Sequence, residues 1–497
     1  MYREIAAAID RRPDAVAIEA DEGRQYRYGD LDEWSARYAS FLCASGLGRG
    51  DRVAVQAEKT PQSLFLYLAC LRAGLIYVPL NTAYQAGELE HFLRDAAPAL
   101  AVCSPQSEAS WRNLAAATCN ARVFTLGDDG TGSFAELAAS ADTRFESAEA
   151  EGDVAALIYT SGTTGRSKGA MITHRNLVCN ARALVSTWGF SPQDVLLHTL
   201  PIFHVHGLFV ANHCALASGA RLLWRRRFEP QAAMRDLPDA TVFMGVPTYY
   251  TRLLARPAFG REHCRNVRLF VSGSAPLLAD TYREFESRTG QRILERYGMS
   301  EAGMITSNPL HGLRRPGTVG LPLPGVSVRV ADERDKPLPP GEVGAIQVKG
   351  ENVFKGYWRM PEKTGEEFTA DGWFRTGDLG AFDADGYLSI VGRAQDLIIS
   401  GGYNVYPKEV ELALDQLPGV QESAVIGVPH ADFGEAVTAI VVATKDAALT
   451  EAAILAALRP QLANYKLPKR VHIVEELPRN AMGKVQKNLL RERYGGT

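Results

Sequence analysis

Short apolar runs bounded by glycine, proline or aspartate recur along the chain as VAVQ (Val53 to Gln56), VAALIYTS (Val154 to Ser161), DVLLHTLP, RLLW, TVFMGVP and VRLFVSGSAP. Helical patterns separate several of them, and that alternation predicts mostly parallel α/β layering. From Val326 the texture changes to VSVRVADERDKPLPPGEVGAIQVKG, where alternation and Pro-Gly turns predict a hairpin-rich β module closing the large domain. GYLSIVG (Gly386 to Gly392) is one more strand, and the polar residues Arg393 to Asp396 then interrupt the pattern before LIISGGYNVYP resumes it. A domain boundary is expected there. The remainder reads helix (Pro407 to Gln416), strand (Ser423 to Val428), strand (Val437 to Ala443), helix (Thr450 to Leu462) and strand (Arg470 to Val474), a compact α+β unit. The expected fold class is therefore α/β, with a large N-terminal domain over 1–392 made of layered α/β subdomains plus a small β module, and a small C-terminal domain over 397–497.

Composition changes this picture little. At 497 residues the chain exceeds what one hydrophobic core serves, in keeping with a multi-layered domain and a smaller one. Its 46% hydrophobic and 22% charged residues exclude a disordered chain, and a net charge of -3 gives no electrostatic reason to expect nucleic acid or an anionic membrane as a partner. Anionic ligands must then be held by local sites. The seven cysteines are scattered and free of CxxC spacing, which suits reduced thiols. The N-terminal stretch lacks an apolar core, and no run approaches the roughly 18 apolar residues of a membrane span. A cytoplasmic enzyme without membrane partners is expected.

The strongest local signal is YTSGTTGRSKGAMITHRNL, Tyr159 to Leu177, which follows an apolar strand. Its positions Ser161 to Ala170 hold three glycines, four hydroxyl residues and two cations. Glycines let backbone N–H groups approach an anion closely. Thr160, Ser161, Thr163 and Thr164 add hydroxyl donors, and Lys168 adds charge. It is not a Walker A loop, because Lys168 is followed by Gly169 rather than by Ser or Thr. A flexible Gly/Ser/Thr surface loop is the bland alternative, which this ordered string does not favour.

The string resembles the signature loop of the adenylate-forming superfamily of acyl-CoA synthetases, adenylation domains and luciferases. Further blocks follow in that family's order: PIFHVHG (Pro201 to Gly207), SGSAPL (Ser272 to Leu277), ERYGMSEAG (Glu295 to Gly303), FRTGDLG (Phe374 to Gly380), GRAQDLIISGGYNVYPKEVE (Gly392 to Glu411) and PRNAMGKVQK (Pro478 to Lys487). The resemblance covers essentially the whole chain. It implies ATP and CoA as substrates, with Mg2+ held by Glu301 and Thr160. It also implies a nucleotide site formed by Thr160, Ser161, Gly162, Thr163, Thr164, Gly165, Lys168, Ser274, Ala275, Pro276, Glu295, Arg296, Tyr297, Gly298, Met299, Asp378, Arg393 and Lys484. Within it Ser300 contacts the α-phosphate, Tyr297 packs on adenine, Asp378 accepts hydrogen bonds from the ribose hydroxyls and Arg393 contacts ribose or phosphate. Lys484, Glu301, Ser300 and His204 are carried over as catalytic positions. A lysine such as Lys484 would stabilise the charge that spreads over the phosphoryl oxygens as a carboxylate attacks the α-phosphorus. The resemblance further implies a mobile small domain that pivots at 393–396, with Gln395 where the family usually carries Asp or Lys. That movement brings Ser400, Gly401 and Gly402 over the site for CoA. In bacteria the family lysine matching Lys484 is a target of a protein lysine acetyltransferase and deacetylase, which are therefore candidate partners.

Motifs fix the reaction class, whereas the pocket fixes the acid. Within the superfamily the nearest resemblance is to malonyl-CoA synthetases, through ERYGM at Glu295 to Met299, ENVFKGYWRMPEKT at Glu351 to Thr364 and GVPHADFGEAVTA at Gly427 to Ala439. A second carboxylate in an apolar acyl pocket needs a cation, and Arg296 beside Tyr297 can supply it, with His206, Ser274 and Met299 as further pocket residues. The alternatives are a ligase for another short carboxylic or dicarboxylic acid, with Arg296 capping a helix or pairing with Glu295, and a non-catalytic adenylate-binding protein. His204 and His206 form no metal pair, since no third ligand lies near in sequence. No carrier segment follows Lys484, which points to free CoA as the acceptor.

Overall fold

A computed structural model describes residues 1–160, 167–400, 403–430, 433–445, 447–480 and 483–495. Packing divides the chain into two units, one of Met1–Val328 with Val348–Phe374 and one of Arg329–Gln347 with Arg375–Thr497.

The first unit holds two sheets among the described residues. Six strands run in the order Arg122–Thr125, Leu100–Cys103, Arg52–Gln56, Ile76–Pro79, Val154–Thr160 and Lys168–Thr173. All these pairings are parallel except the last, where Val154–Thr160 meets Lys168–Thr173 antiparallel. Nine strands form the other sheet, in the order Leu321–Pro322, Gly303–Ser307, Ile293–Met299, Leu269–Ser272, Val242–Gly245, Val195–His198, Arg221–Trp224, Val16–Glu19 and Gln25–Arg27. Its centre is parallel and its margins antiparallel. The apolar runs of the sequence are the central strands. Leu269–Ser272, Val242–Gly245 and Leu100–Cys103 are buried throughout, as strands covered on both faces must be.

The helix Pro61–Ala73 is buried from Ser63 to Ala73, with apolar side chains on every face, which marks it as the interior of the unit. Its start is fixed locally. Thr60 accepts from the Ser63 N–H at 3.1 Å, the Ser63 hydroxyl accepts from the Thr60 N–H at 2.9 Å, and Pro61 occupies the first turn, where no N–H is needed.

In the second unit a four-stranded sheet runs in the order Val326–Ala331, Gly344–Gly350, Phe374–Phe382 and Leu388–Arg393, its ends reaching past the packing boundaries. Beyond it, Val420–His430 and Gly434–Ala443 form a long antiparallel pair, with Arg470–Val474 parallel to the latter. Both central strands are longer than their apolar runs, because paired backbone carries the ladder through the polar ends. The helix expected to reach Leu462 stops at Leu458, ahead of Pro460, whose ring disfavours helical backbone before it.

One element of the first unit was not legible from periodicity. Ile293–Met299 turns back into Gly303–Ser307 as an antiparallel hairpin, its register shifting between Tyr297 and Gly298. Asn180, from the helix His174–Thr187, pins it: its Oδ1 accepts from the Met304 N–H at 3.0 Å and its Nδ2 donates to the Met304 carbonyl at 2.8 Å. Asn352 donates to the Ala302 carbonyl at 2.7 Å in the turn itself. Asn180→Ala strands two buried main-chain groups, each worth about 1 to 3 kcal/mol when left unpaired. Its melting temperature should fall by at least several degrees in a thermal scan, and a variant that melts with the wild type would show that the hairpin does not depend on Asn180.

Candidate active site

The hairpin turn carries Ser300 and Glu301 and brings Glu301 to the end of the strand Val154–Thr160. Glu301 is 6% exposed, and its Oε1 accepts from the Thr160 hydroxyl at 3.1 Å and from the Tyr357 hydroxyl at 3.2 Å. Its carbonyl accepts from the Phe354 N–H at 2.7 Å. Thr160 ends the strand that leads into the glycine-rich loop, so strand and hairpin meet at one carboxylate oxygen. Ser161, Gly162, Thr163, Thr164 and Gly165 lie outside the described residues. Both stems of that loop are tied to the helix Ala86–Ala96: the Tyr159 hydroxyl donates to Asp95 at 2.6 Å, and a ring nitrogen of His91 lies 3.0 Å from the Ser167 carbonyl. Lys168 is buried. Its ammonium sits 3.6 Å from Glu367 and 4.4 Å from the centre of the Tyr357 ring, so its charge is held beside the hairpin contact. Tyr357 and Glu367 were missed from the sequence because nothing in their local pattern tells a site residue from an ordinary turn.

A second cluster lies at the ends of the central strands. Arg296 is 4% exposed, and among the described residues its Nε and Nη2 meet no acceptor and no carboxylate pairs with it. Burial pushes its pKa down to about 10, with Tyr250 weakly opposing. The guanidinium lies against Gly273, where a Cβ would stand 2.4 Å from its Cζ, so a side chain there would push the guanidinium out of this position. Ser274 follows in the left-handed region at φ 72, a strained conformation for a residue with a side chain. Its hydroxyl is 3.4 Å from Nδ1 of His206, a buried ring whose Nε2 has no partner among the described residues. Burial, with Arg296, His204 and His198 nearby, holds His206 neutral by lowering its pKa well below the usual value. Ser272 also keeps a buried, unpartnered hydroxyl among the described residues. The alternative pairing of Arg296 with Glu295 is not observed. Glu295 is on the same strand, and its Oε1 accepts from the Gly317 N–H at 3.3 Å. His204 accepts at Nδ1 from the His206 N–H at 3.4 Å. Tyr297 is buried and Gly298, Met299 and Ser300 half-buried on the hairpin, while Ala275 is half-buried and Pro276 exposed beyond Ser274.

In the second unit, antiparallel pairing sets Asp378 opposite Arg393, with Nε 2.8 Å from Oδ1. Asp378 is buried and its own N–H donates to the Thr376 hydroxyl at 3.1 Å. Gln395 is exposed in the short turn that follows, and Asp396 beside it pairs with Arg491 at 2.6 Å. Ser400 is buried at the end of a small hairpin, while Gly401 and Gly402 lie outside the described residues. Lys484 is exposed on a tight turn, where its N–H donates to the Asn480 side chain at 3.0 Å and its carbonyl accepts from the Asn480 N–H at 2.9 Å.

The sequence profile of AMP-binding enzymes matches residues 5–358, and that of the AMP-binding enzyme C-terminal domain matches 409–484. The ATP-bound crystal structure of MatB from Rhodopseudomonas palustris superposes with a TM-score of 0.97 at 53% identity, covering 100% of this chain and 99% of that one. A malonate–CoA ligase of Arabidopsis thaliana is 37% identical over 96% of this chain and 86% of its own. A feruloyl-CoA synthase of an Amycolatopsis species is 36% identical over 97% of this chain and 96% of its own. Relatives at equal distance thus bear the names of very different acids, and the acyl pocket has to discriminate.

The unpaired guanidinium has a measurable cost. A cation whose folded pKa lies below its unfolded value destabilises the fold wherever it is charged in both states, and the penalty fades only as pH rises through the folded pKa, here about 10. At neutral pH the full penalty applies, on the order of 3 kcal/mol. Arg296→Met should therefore melt several degrees above the wild type without ligands at pH 7, and the gap should narrow above pH 10. A variant that melts lower at both pH values would mean that Arg296 supports the fold.

Proposed function

The chain belongs to the AMP-binding enzyme family, and on that premise we propose that it is a malonyl-CoA synthetase. A malonate carboxylate oxygen attacks the α-phosphorus of ATP, giving malonyl-AMP and diphosphate. The CoA thiol then attacks the acyl carbon, giving malonyl-CoA and AMP. The observation that carries the choice of acid is Arg296. A buried guanidinium with no carboxylate beside it among the described residues, flanked by the open Nε2 of His206, is complementary to the distal carboxylate of a short dicarboxylic acid. Met299, Ser274 and His206 form the rest of the acyl pocket in this reading.

The same reading assigns the remaining groups. Asp378 binds the ribose hydroxyls, Arg393 contacts ribose or phosphate, and Tyr297 packs on adenine, with Ala275, Pro276, Glu295 and Gly298 alongside. The loop from Ser161 to Gly165 cradles the phosphates together with Lys168, and Ser300 and His204 approach the reacting groups. Oxygen donors converge at Glu301 and Thr160 in a way that suits magnesium, which when bound offsets the phosphate charge. Lys484 supplies the cation for adenylation. Turning about Gln395 within 393–396 exchanges it for Ser400, Gly401 and Gly402, which admit CoA, with 1–392 and 397–497 as the bodies that move. Being exposed, Lys484 can be acetylated by a protein acetyltransferase and restored by a deacetylase, which would switch adenylation off and on. Free thiols at all seven cysteines suit a cytoplasmic setting, and among the described residues no helix is long and apolar enough to cross a membrane.

Diphosphate exchange over a panel of acids should rank malonate first, and release of ADP instead of AMP would overturn the reaction class. Removing one partner of a buried ion pair costs about 3 to 5 kcal/mol, or roughly two to four powers of ten in kcat/KM. Arg296→Ala should lose that much with malonate while keeping or improving its use of acetate and propionate. Equal loss for every acid would assign Arg296 to the nucleotide side. Lys484→Ala should cut malonyl-AMP formation by about a hundredfold or more yet leave thioester formation from supplied malonyl-AMP largely intact. Equal damage to both half-reactions would contradict the division of labour between two poses.

A further inference from the structure

Lys59 has no part in the site described so far, yet it is a lysine with 5% exposure in an apolar interior. It directly precedes Thr60, the cap of the central helix, and its Nζ reaches one residue twice: 2.8 Å to Nδ1 of His198 and 2.8 Å to the carbonyl of His198. The Trp224 ring closes over the amine with its centre 4.5 Å away. Among the described residues no carboxylate pairs directly with Lys59, and burial drives its pKa well below the usual value, with Asp21 opposing and Arg225 reinforcing. An isolated buried amine is costly and needs a reason.

The geometry of His198 supplies one. This residue ends the strand Val195–His198 and is itself buried, and its Nε2 lies 3.0 Å from the Gly207 carbonyl. A carbonyl can only accept, so Nε2 carries the ring hydrogen and Nδ1 must accept, which an amine donor satisfies whether or not it is protonated. The hydrogen-bonded chain runs from Lys59 through the ring to Gly207, the neighbour of His206. Gly207 is the second residue of a turn of π-helix, His206–Ala211, and its Cα is pressed against the Pro201 carbonyl, where a Cβ would stand 2.0 Å away. The segment between the strand end and the pocket is thus fixed at both ends by one imidazole whose orientation Lys59 sets.

We propose that Lys59 and His198 are positioning residues for acyl-substrate recognition, locking the Nε2–H tautomer of His198 so that the Gly207 carbonyl, and with it the His206 ring, is held in the acyl pocket. The role in recognition rests on malonate as the substrate, because the His206 ring matters only to an acid with a second carboxylate. Displacements on the order of 1 Å cost up to about a hundredfold in enzyme rates, so loss of the lock is expected to be large and selective.

Adenylation by the full-length enzyme tests this through diphosphate exchange, with KM measured separately for malonate, acetate and ATP. Lys59→Met, similar in volume and unable to donate, should raise KM for malonate about tenfold or more, with KM for ATP and kcat/KM for acetate staying within about twofold. His198→Gln keeps an N–H for the Gly207 carbonyl and should recover most of the malonate affinity. Equal losses for malonate, acetate and ATP in Lys59→Met would make the lysine merely structural and overturn the proposal. Long-range nitrogen–proton correlations of ring-labelled wild-type enzyme, with the His198 signal identified by its loss in His198→Gln, provide a reading that does not depend on a variant folding. The Nε2–H form supports the lock, and the Nδ1–H or doubly protonated form removes it. A wild type that prefers another acid to malonate would overturn the substrate reading instead; if that acid carries a second carboxylate the selectivity comparison is made with it against acetate, and if it does not, the role in recognition falls as well.

Discussion

A guanidinium kept from water without a carboxylate weakens the fold, and the first unit is built so that Arg296 nevertheless stays in place. Its strand is interior to the nine-stranded sheet, paired parallel to Leu269–Ser272 on one side and antiparallel to Gly303–Ser307 on the other. Just past the end of the neighbouring strand Leu269–Ser272, Gly273 offers bare backbone for the planar group to lie on. Around it the polar atoms are incomplete: Nε2 of His206, Oγ of Ser272 and two nitrogens of Arg296 all lack partners among the described residues. Native interiors carry few such groups, so several in one cluster mark a place where the missing partner arrives with a ligand.

The cluster to which the proposed function assigns the phosphates follows the opposite logic, with Glu301, Lys168 and Tyr159 already engaged. Glu301 collects hydroxyls from Thr160 and Tyr357, Lys168 is held between Tyr357 and Glu367, and Tyr159 and Ser167 are tied to one helix through Asp95 and His91. Contacts of this kind hold side chains in position in advance, so a ligand bound there, as the proposed function has it, would have less ordering to impose.

Much of the fold was legible because the two parallel sheets need strands buried on both faces, and such strands read as unbroken apolar runs: RLLW, TVFMG and VRLFVS became Arg221–Trp224, Val242–Gly245 and Leu269–Ser272. The hairpin at Tyr297–Gly303 was not legible. Its pairing is held by Asn180 and Asn352, residues far away in sequence whose role no local pattern encodes. The packing units were illegible too, since Arg329–Gln347 joins Arg375–Thr497 across an intervening stretch of chain. For the proposed site, motif residues could be put forward in advance because backbone and phosphate chemistry restrict them to a few types. Tyr357, Glu367, Lys59 and His198 could not, because their parts are set by what lies across the interior from them.

Gly273 and Arg296 share one volume, and this orders the routes by which the pocket can change over generations. While the arginine keeps this position, even a single methyl group at 273 collides with its guanidinium, so a side chain at 273 and Arg296 in this pose exclude one another. Once a smaller side chain replaces Arg296, the collision disappears and 273 becomes free to fill the vacated space and reshape the cavity for bulkier or uncharged acids. A lineage that then acquires a side chain at 273 cannot regain the arginine in its present position by reversing one step. If Arg296 selects the acid as proposed, exchange of one acid for another is thereby easier to begin than to undo.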